Sequence, residues 1–148
     1  MNILIVGGGL QALSVARSLK KERYSVIALL HRGDISTKSK YIDELYTIDI
    51  TPTYKKEYLS SVHRVLQVHA ISVIIPLSDV TAEFLSIHKV NLEHEYHLKC
   101  AIPNYDIFQK ANDKWQLMDL CKENFIPHPR TQLLTSSNLQ EAAGAIGF

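Results

Sequence analysis

The chain's 148 residues, 46% apolar and 21% charged, suffice for one globular domain with its own core. A formal net charge of +1 supplies no field for nucleic acid or an anionic membrane, and no apolar run approaches the roughly 20 residues of a membrane span, so neither partner is expected. Cys100 and Cys121 stand in no metal or redox spacing and the N-terminus has no secretory pattern, which points to a reducing compartment, the cytoplasm.

An apolar run over residues 3–6 turns directly into Gly7, Gly8 and Gly9, then into a helical stripe of Leu10, Leu13, Ala16 and Leu19. A buried strand that stops at a glycine loop and restarts as a helix aims free backbone N–H groups beyond the sheet edge. That geometry suits anions or small polar molecules. Residues 24–30 read as a strand covered on both faces, as in a parallel sheet, and residues 31–40 as a loop. A short strand is predicted at residues 45–50. Thr51-Pro52-Thr53 then opens a helix from about Tyr54, with Leu59, Val62, Leu66 and Ala70 on its apolar face.

Residues 72–75 form the next strand, ended by Pro76. Ser78 caps a helix running through about Lys89, with Asp79 at its positive end. A fifth strand is predicted at residues 97–102, and a short helix from Pro103-Asn104 into Asn112. Asn112 reads as the cap of a further helix that ends near Phe125. Pro127 and Pro129 impose extended backbone through residues 130–135, and Ser137-Asn138-Leu139-Gln140 has capping-box spacing before an alanine-rich helix. Strands alternating with helices predict an α/β fold, a doubly wound, mostly parallel sheet of Rossmann-like type with right-handed crossovers. The chain stops at Gly147-Phe148, where a new strand is expected, and so reads as the front of a longer protein.

Three segments are candidates for chemistry. Gly7, Gly9 and Ala12 fit G-x-G-x-x-A, but a dinucleotide fold also needs an acidic residue at the end of its second strand. His31-Arg32 stand there, with Asp34 two residues on. Arg32 suits a 2′-phosphate, which keeps an NADP reading open. The plain alternative is that the glycines merely allow a tight strand-to-helix turn. Ser78-Asp79 follow the end of a central strand, beside the switch point where open α/β sheets bind ligands, although the same pair also makes an ordinary helix cap. In Asp113-Lys114 the lysine falls in the first turn of a helix, where the helix dipole gives it nothing, so it asks for another reason. His94-Glu95-Tyr96-His97 is one residue short of H-E-x-x-H and is read as a solvated loop rather than a zinc site. His63 and His69, six residues apart, do not share a helix face, and Trp115 and Met118 are read as core packing.

The glycine loop, the stretch Ile74-Ile75-Pro76-Leu77-Ser78-Asp79, and the run from Asn112-Asp113-Lys114-Trp115 to Ile126-Pro127-His128-Pro129-Arg130-Thr131 resemble, in order and spacing, the N-terminal part of the ATP-grasp ligases. Within that family the resemblance is to members like the carbamoyl-phosphate synthase large subunit. It implies a pre-ATP-grasp α/β domain over residues 1–111, then a linker helix and the start of the ATP-grasp domain over residues 112–148. It implies that Lys114 approaches the nucleotide phosphates, and that Gly7, Gly8, Gly9, Ser78 and Asp79 face the carboxylate substrate or the nucleotide side of a cleft. For the full-length protein it implies ATP, magnesium and a small-molecule carboxylate that is activated as an acyl phosphate and captured by an amine or ammonia. The partners it implies are the C-terminal ATP-grasp domain of the same polypeptide, with a homodimer left open. In the family a second ATP lysine and the magnesium ligands lie further along, so these residues by themselves are expected to bind no cofactor tightly and to turn nothing over. Two readings from other classes stand beside this one: an NAD(P)-binding Rossmann-type module and a non-catalytic scaffold domain.

Overall fold

The computed structural model describes residues 1–50, 55–135, 138 and 144. The chain divides into two compact units, Met1–Tyr105 and Asp106–Phe148. The first runs β1 (Asn2–Val6), α1 (Gly9–Lys21), β2 (Ser25–His31), a 3-10 turn (Ile35–Lys38), β3 (Glu44–Ile48), α2 (Lys55–Val68), β4 (Ile71–Pro76), α3 (Asp79–Tyr96) and β5 (Lys99–Cys100). All pairings are parallel, in the order β3-β2-β1-β4-β5, so the fold is a doubly wound α/β sheet.

The near-continuous apolar runs of β1 and β2 follow from burial on both faces. Leu4, Val6, Ile27 and Leu29 pack with Tyr58, Val62, Val65, Phe84 and Leu85 of α2 and α3. The alternate residues Ile5, Val26, Ala28 and Leu30 pack against Ala12 and Ala16 of α1. Each large apolar side chain buried this completely contributes about 1.5–3 kcal/mol. The alanines on the α1 face bring that helix close to the sheet and seat the glycine loop directly above the tips of β1.

Several local expectations are corrected. Leu10 is exposed, and the inward stripe of α1 is Ala12, Val15, Ala16 and Leu19, one step round the helix from the predicted one. Ala70 lies beyond α2 and is exposed, while Tyr58 and Val65 join Val62 and Leu66 on the buried face. The loop after β2 contains the 3-10 turn, capped by the side chain of Asp34. Helix α3 extends to Tyr96, so His94 to Tyr96 lie in its last turn and His97, with φ +53°, is its left-handed cap. The fifth strand shrinks to two residues. The opening at Thr51 to Tyr54 and most of residues 137–148 lie outside the described residues.

Helix α4 (Tyr105–Asn112) begins at the boundary between the units, and α5 (Lys114–Glu123) lies in the second. Asn112 ends α4 instead of capping α5. The cap is Asp113, whose carboxylate accepts the Gln116 N–H at 3.0 Å. Neither helix contains a buried residue, and residues 126–135 form no strand. Among the described residues no helix is long and apolar enough to cross a membrane.

Candidate functional site

From β1 the chain leaves through α1 toward β2, and from the adjacent β4 it leaves through α3 toward β5 on the other side. The connections therefore diverge between β1 and β4, and ligands of open α/β sheets bind at such points. A crevice of about 710 Å³ lies there. Its polar lining is Gly8, Gln11, Ser78 and Asp79, and its apolar walls come from Val15, Ile75, Leu77, Ala82 and Ile102 among others. Both helix caps at this edge, Gly8 of α1 and Ser78 of α3, open onto it.

Ser78 builds one wall through a reciprocal capping box. Its hydroxyl accepts the Thr81 N–H at 3.3 Å while Thr81 Oγ1 accepts the Ser78 N–H at 3.1 Å. Thr81 is buried, so the box is locked from below. Asp79 is the first residue of α3, exposed, and paired with no cation among the described residues.

The glycine loop has a different occupant from the one its sequence suggests. Gly9 (φ +79°) donates its N–H to both carboxylate oxygens of Asp34, at 3.0 and 2.9 Å. The same carboxylate accepts the Ser36 N–H at 2.8 Å and the Ser36 hydroxyl, which caps the 3-10 turn. Partial burial by itself pushes the Asp34 carboxyl up. The hydrogen bonds from Ser36 and Gly9, with His31 nearby, outweigh that and hold it below the ordinary carboxylate range. The N-terminus of α1 thus already carries an anion, supplied from within the chain.

Gly7 and Gly9 back the crevice without lining it. At Gly7 (φ +97°) an added Cβ would come within 3.3 Å of Thr81 Cγ2 and Oγ1, which ties the loop to the capping box. Of the sequence-predicted residues, Gly8, Ser78 and Asp79 meet at one crevice. Lys114 is the exposed first residue of α5 in the other unit. Sequence reasoning missed Gln11, and weighed Asp34 only as a ribose ligand. The Asp34-x-Ser36 spacing of a side-chain-capped turn was the available signal. Arg32, the candidate for a 2′-phosphate, is held by Asp49 at 2.8 and 2.9 Å.

His63 and His69 serve contacts elsewhere. His63 Nδ1 lies 2.6 Å from the Tyr96 hydroxyl and His69 Nε2 lies 2.7 Å from the Tyr46 hydroxyl, toward the end of the sheet where β4 and β5 begin. Among the described residues no three His, Cys, Asp or Glu side chains converge to hold a metal.

No family model matches the chain. It is similar to the D-aspartate ligase of Enterococcus faecium (strain Aus0004), 22% identical over 143 residues, which covers 92% of this chain and 33% of that protein. Among solved structures it resembles N5-carboxyaminoimidazole ribonucleotide synthetase from Thermotoga maritima, with a TM-score of 0.67 at 20% identity over 99% of this chain and 36% of that one. The biotin carboxylase domain of the Hydrogenobacter thermophilus 2-oxoglutarate carboxylase, solved as a dimer with MgADP, ADP and bicarbonate, gives a TM-score of 0.71 at 18% identity, over 99% of this chain and 33% of that one. The chain shares its fold with the matched part of these enzymes. The chain spans about a third of the length of these relatives. Two helix caps, Gly8 of α1 and Ser78 of α3, contribute to the crevice at the β1/β4 tips.

Proposed function

We propose that this chain is the substrate-side, N-terminal domain of an ATP-dependent carboxylate–amine or carboxylate–ammonia ligase of the cytoplasm. The observation that carries the reading is the crevice at the β1/β4 switch point, walled by Gly8, Ser78 and Asp79, in a fold found at the front of ATP-grasp enzymes. In this reading the crevice binds and orients one small substrate while Lys114, a point cation on an exposed helix start, reaches a nucleotide phosphate. ATP activates the carboxylate as an acyl phosphate, and the amine then attacks the acyl carbon with release of phosphate. In this reading magnesium is held by the ATP-grasp domain of the same polypeptide. The finer placing beside carbamoyl-phosphate synthase large subunits rests on the stretch from Asp113-Lys114 to Thr131. A homodimer belongs to the same proposal.

Two contacts weigh against the NAD(P) alternative: the Gly9 N–H is bonded to Asp34, and Arg32 pairs on the surface with Asp49. The test is ADP release driven by amine and carboxylate. The polypeptide extended through its ATP-grasp domain turns over, and Lys114→Ala raises its KM for ATP about tenfold or more, as expected for a lost charge-assisted phosphate contact. The 148 residues alone stay at background. Turnover by the short chain overturns the division of labour, and thermal stabilisation by NADP(H) but not by ATP–magnesium returns the dinucleotide reading.

A further inference from the structure

We infer that the crevice accepts the amine-bearing substrate and excludes the anionic one, and that Asp34 and Asp79 set this preference. The inference rests on the ligase reading for its biological meaning, but it stands on the charges and shape of the crevice alone.

Two helix N-termini, those of α1 and α3, meet this crevice, and each is worth about half a positive charge. Ordinarily they would make the edge attractive to phosphate or carboxylate. Here each terminus meets a whole carboxylate. Asp34 lies directly behind Gly8 and takes the Gly9 N–H at the start of α1, while Asp79 occupies the first position of α3. Both dipoles are over-neutralised, which leaves about one net negative charge around the cavity, with Asp79 in its lining and Asp34 behind Gly8.

Among the described residues Asp79 is the single charged side chain of the lining, and no lysine, arginine or histidine contributes to it. An entering anion would meet no cation among the described lining residues. The Gly9 N–H that could have served it lies behind the crevice and is already bonded to both oxygens of Asp34. An ammonium group attached to an apolar body meets the opposite situation. Val15, Ile75, Leu77 and Ile102 offer apolar walls, Gln11 a side-chain amide and Asp79 an unpaired carboxylate at the rim. The cavity, about 710 Å³, holds a small molecule of that kind.

The experiment titrates the isotope-labelled 148-residue chain with cyclohexylamine, cyclohexanecarboxylate and inorganic phosphate, following the backbone amides of Gly8, Gln11, Leu77 and Asp79 by NMR. The amine is expected to move these signals saturably while both anions leave them in place. Asp79→Asn, at an exposed helix start, is expected to weaken the amine about fivefold, the order for one unit charge about 4 Å away in water. Asp34→Asn is expected to admit the carboxylate. Should that variant lose its dispersed spectrum, the wild-type selectivity and the Asp79→Asn affinity still decide. Binding of carboxylate or phosphate to the wild-type crevice as tight as the amine's, no saturable amine shift, or an Asp79→Asn affinity equal to wild type each overturns the inference. These readouts concern the crevice only, so their failure leaves the ligase reading to the ADP-release test.

Discussion

At Gly8 an added Cβ would lie 2.1 Å from Asp34 Oδ2 and 2.4 Å from its Cγ, although the local φ of −133° is open to any residue. The glycine is therefore required by its neighbour and not by its own backbone. Gly8→Ala is expected to cost about 1–3 kcal/mol, as overpacking does elsewhere. In an Asp34→Ser background the same change should cost well under half of that. A double-mutant cycle in urea measures the coupling, and additivity would mean that Asp34 is not what the methyl meets. The carboxyl also makes the loop pH-sensitive. Because the folded state lowers the Asp34 pKa, its contribution is complete above the unfolded carboxyl value of about 3.9 and fades as pH falls through the lower folded value. The urea midpoints of wild type and Asp34→Asn should thus differ at neutral pH and converge in acid; a constant gap down to pH ~3 counts against the assignment. The three glycines announced the loop, yet Asp34, more than twenty residues away, could be placed on it only once the register of β1 with β2 was known.

Helix α3 and strand β5 were the least legible elements. The helix runs to Tyr96 without a glycine or proline to stop it, and it ends at His97 in a left-handed conformation that any predictor would assign to glycine or asparagine. Its last turns have a purpose at the sheet edge. Glu93 Oε1 accepts the Cys100 N–H at 2.9 Å, Lys89 Nζ donates to the Cys100 carbonyl at 3.0 Å, and the two side chains pair at 2.9 Å. The outward backbone groups of the edge strand are thereby satisfied by side chains, which protects a parallel edge from further pairing. Glu93→Ala is expected to cost about 1.5–3 kcal/mol in a denaturant titration and to speed exchange of the Cys100 amide. An unchanged amide would show that the clamp is decorative. Such long-range side-chain-to-backbone bonds leave no periodic trace, so α3 looked shorter and β5 longer in sequence than in space. At the other end of the chain, Pro127 and Pro129 do exclude helix. Extended backbone without a strand to pair with makes no sheet, and residues 130–135 show that outcome.

For the molecule as a whole, the doubly wound topology was legible because two-sided burial writes itself as uninterrupted apolar strands, and the crevice because a proline closes β4 and a serine and an aspartate follow it. What no pattern could announce was that the chain supplies its own anion to the loop. The core is concentrated around β1, β2 and β4, whereas α4 and α5 bury no side chain completely. Hydrogen exchange should show the slowest amides in those strands and fast exchange throughout both helices. Protection of α5 equal to that of β1 would contradict this division. The alanine spacers on one face have a last consequence for engineering. Ala12, Ala16 and Ala28 hold α1 at a short stand-off, and the mouth of the crevice rides on the first turn of that helix. A library restricted to these three buried positions would lift or lower the roof by fractions of an ångström, retuning which guest fits while every residue that touches it stays wild type.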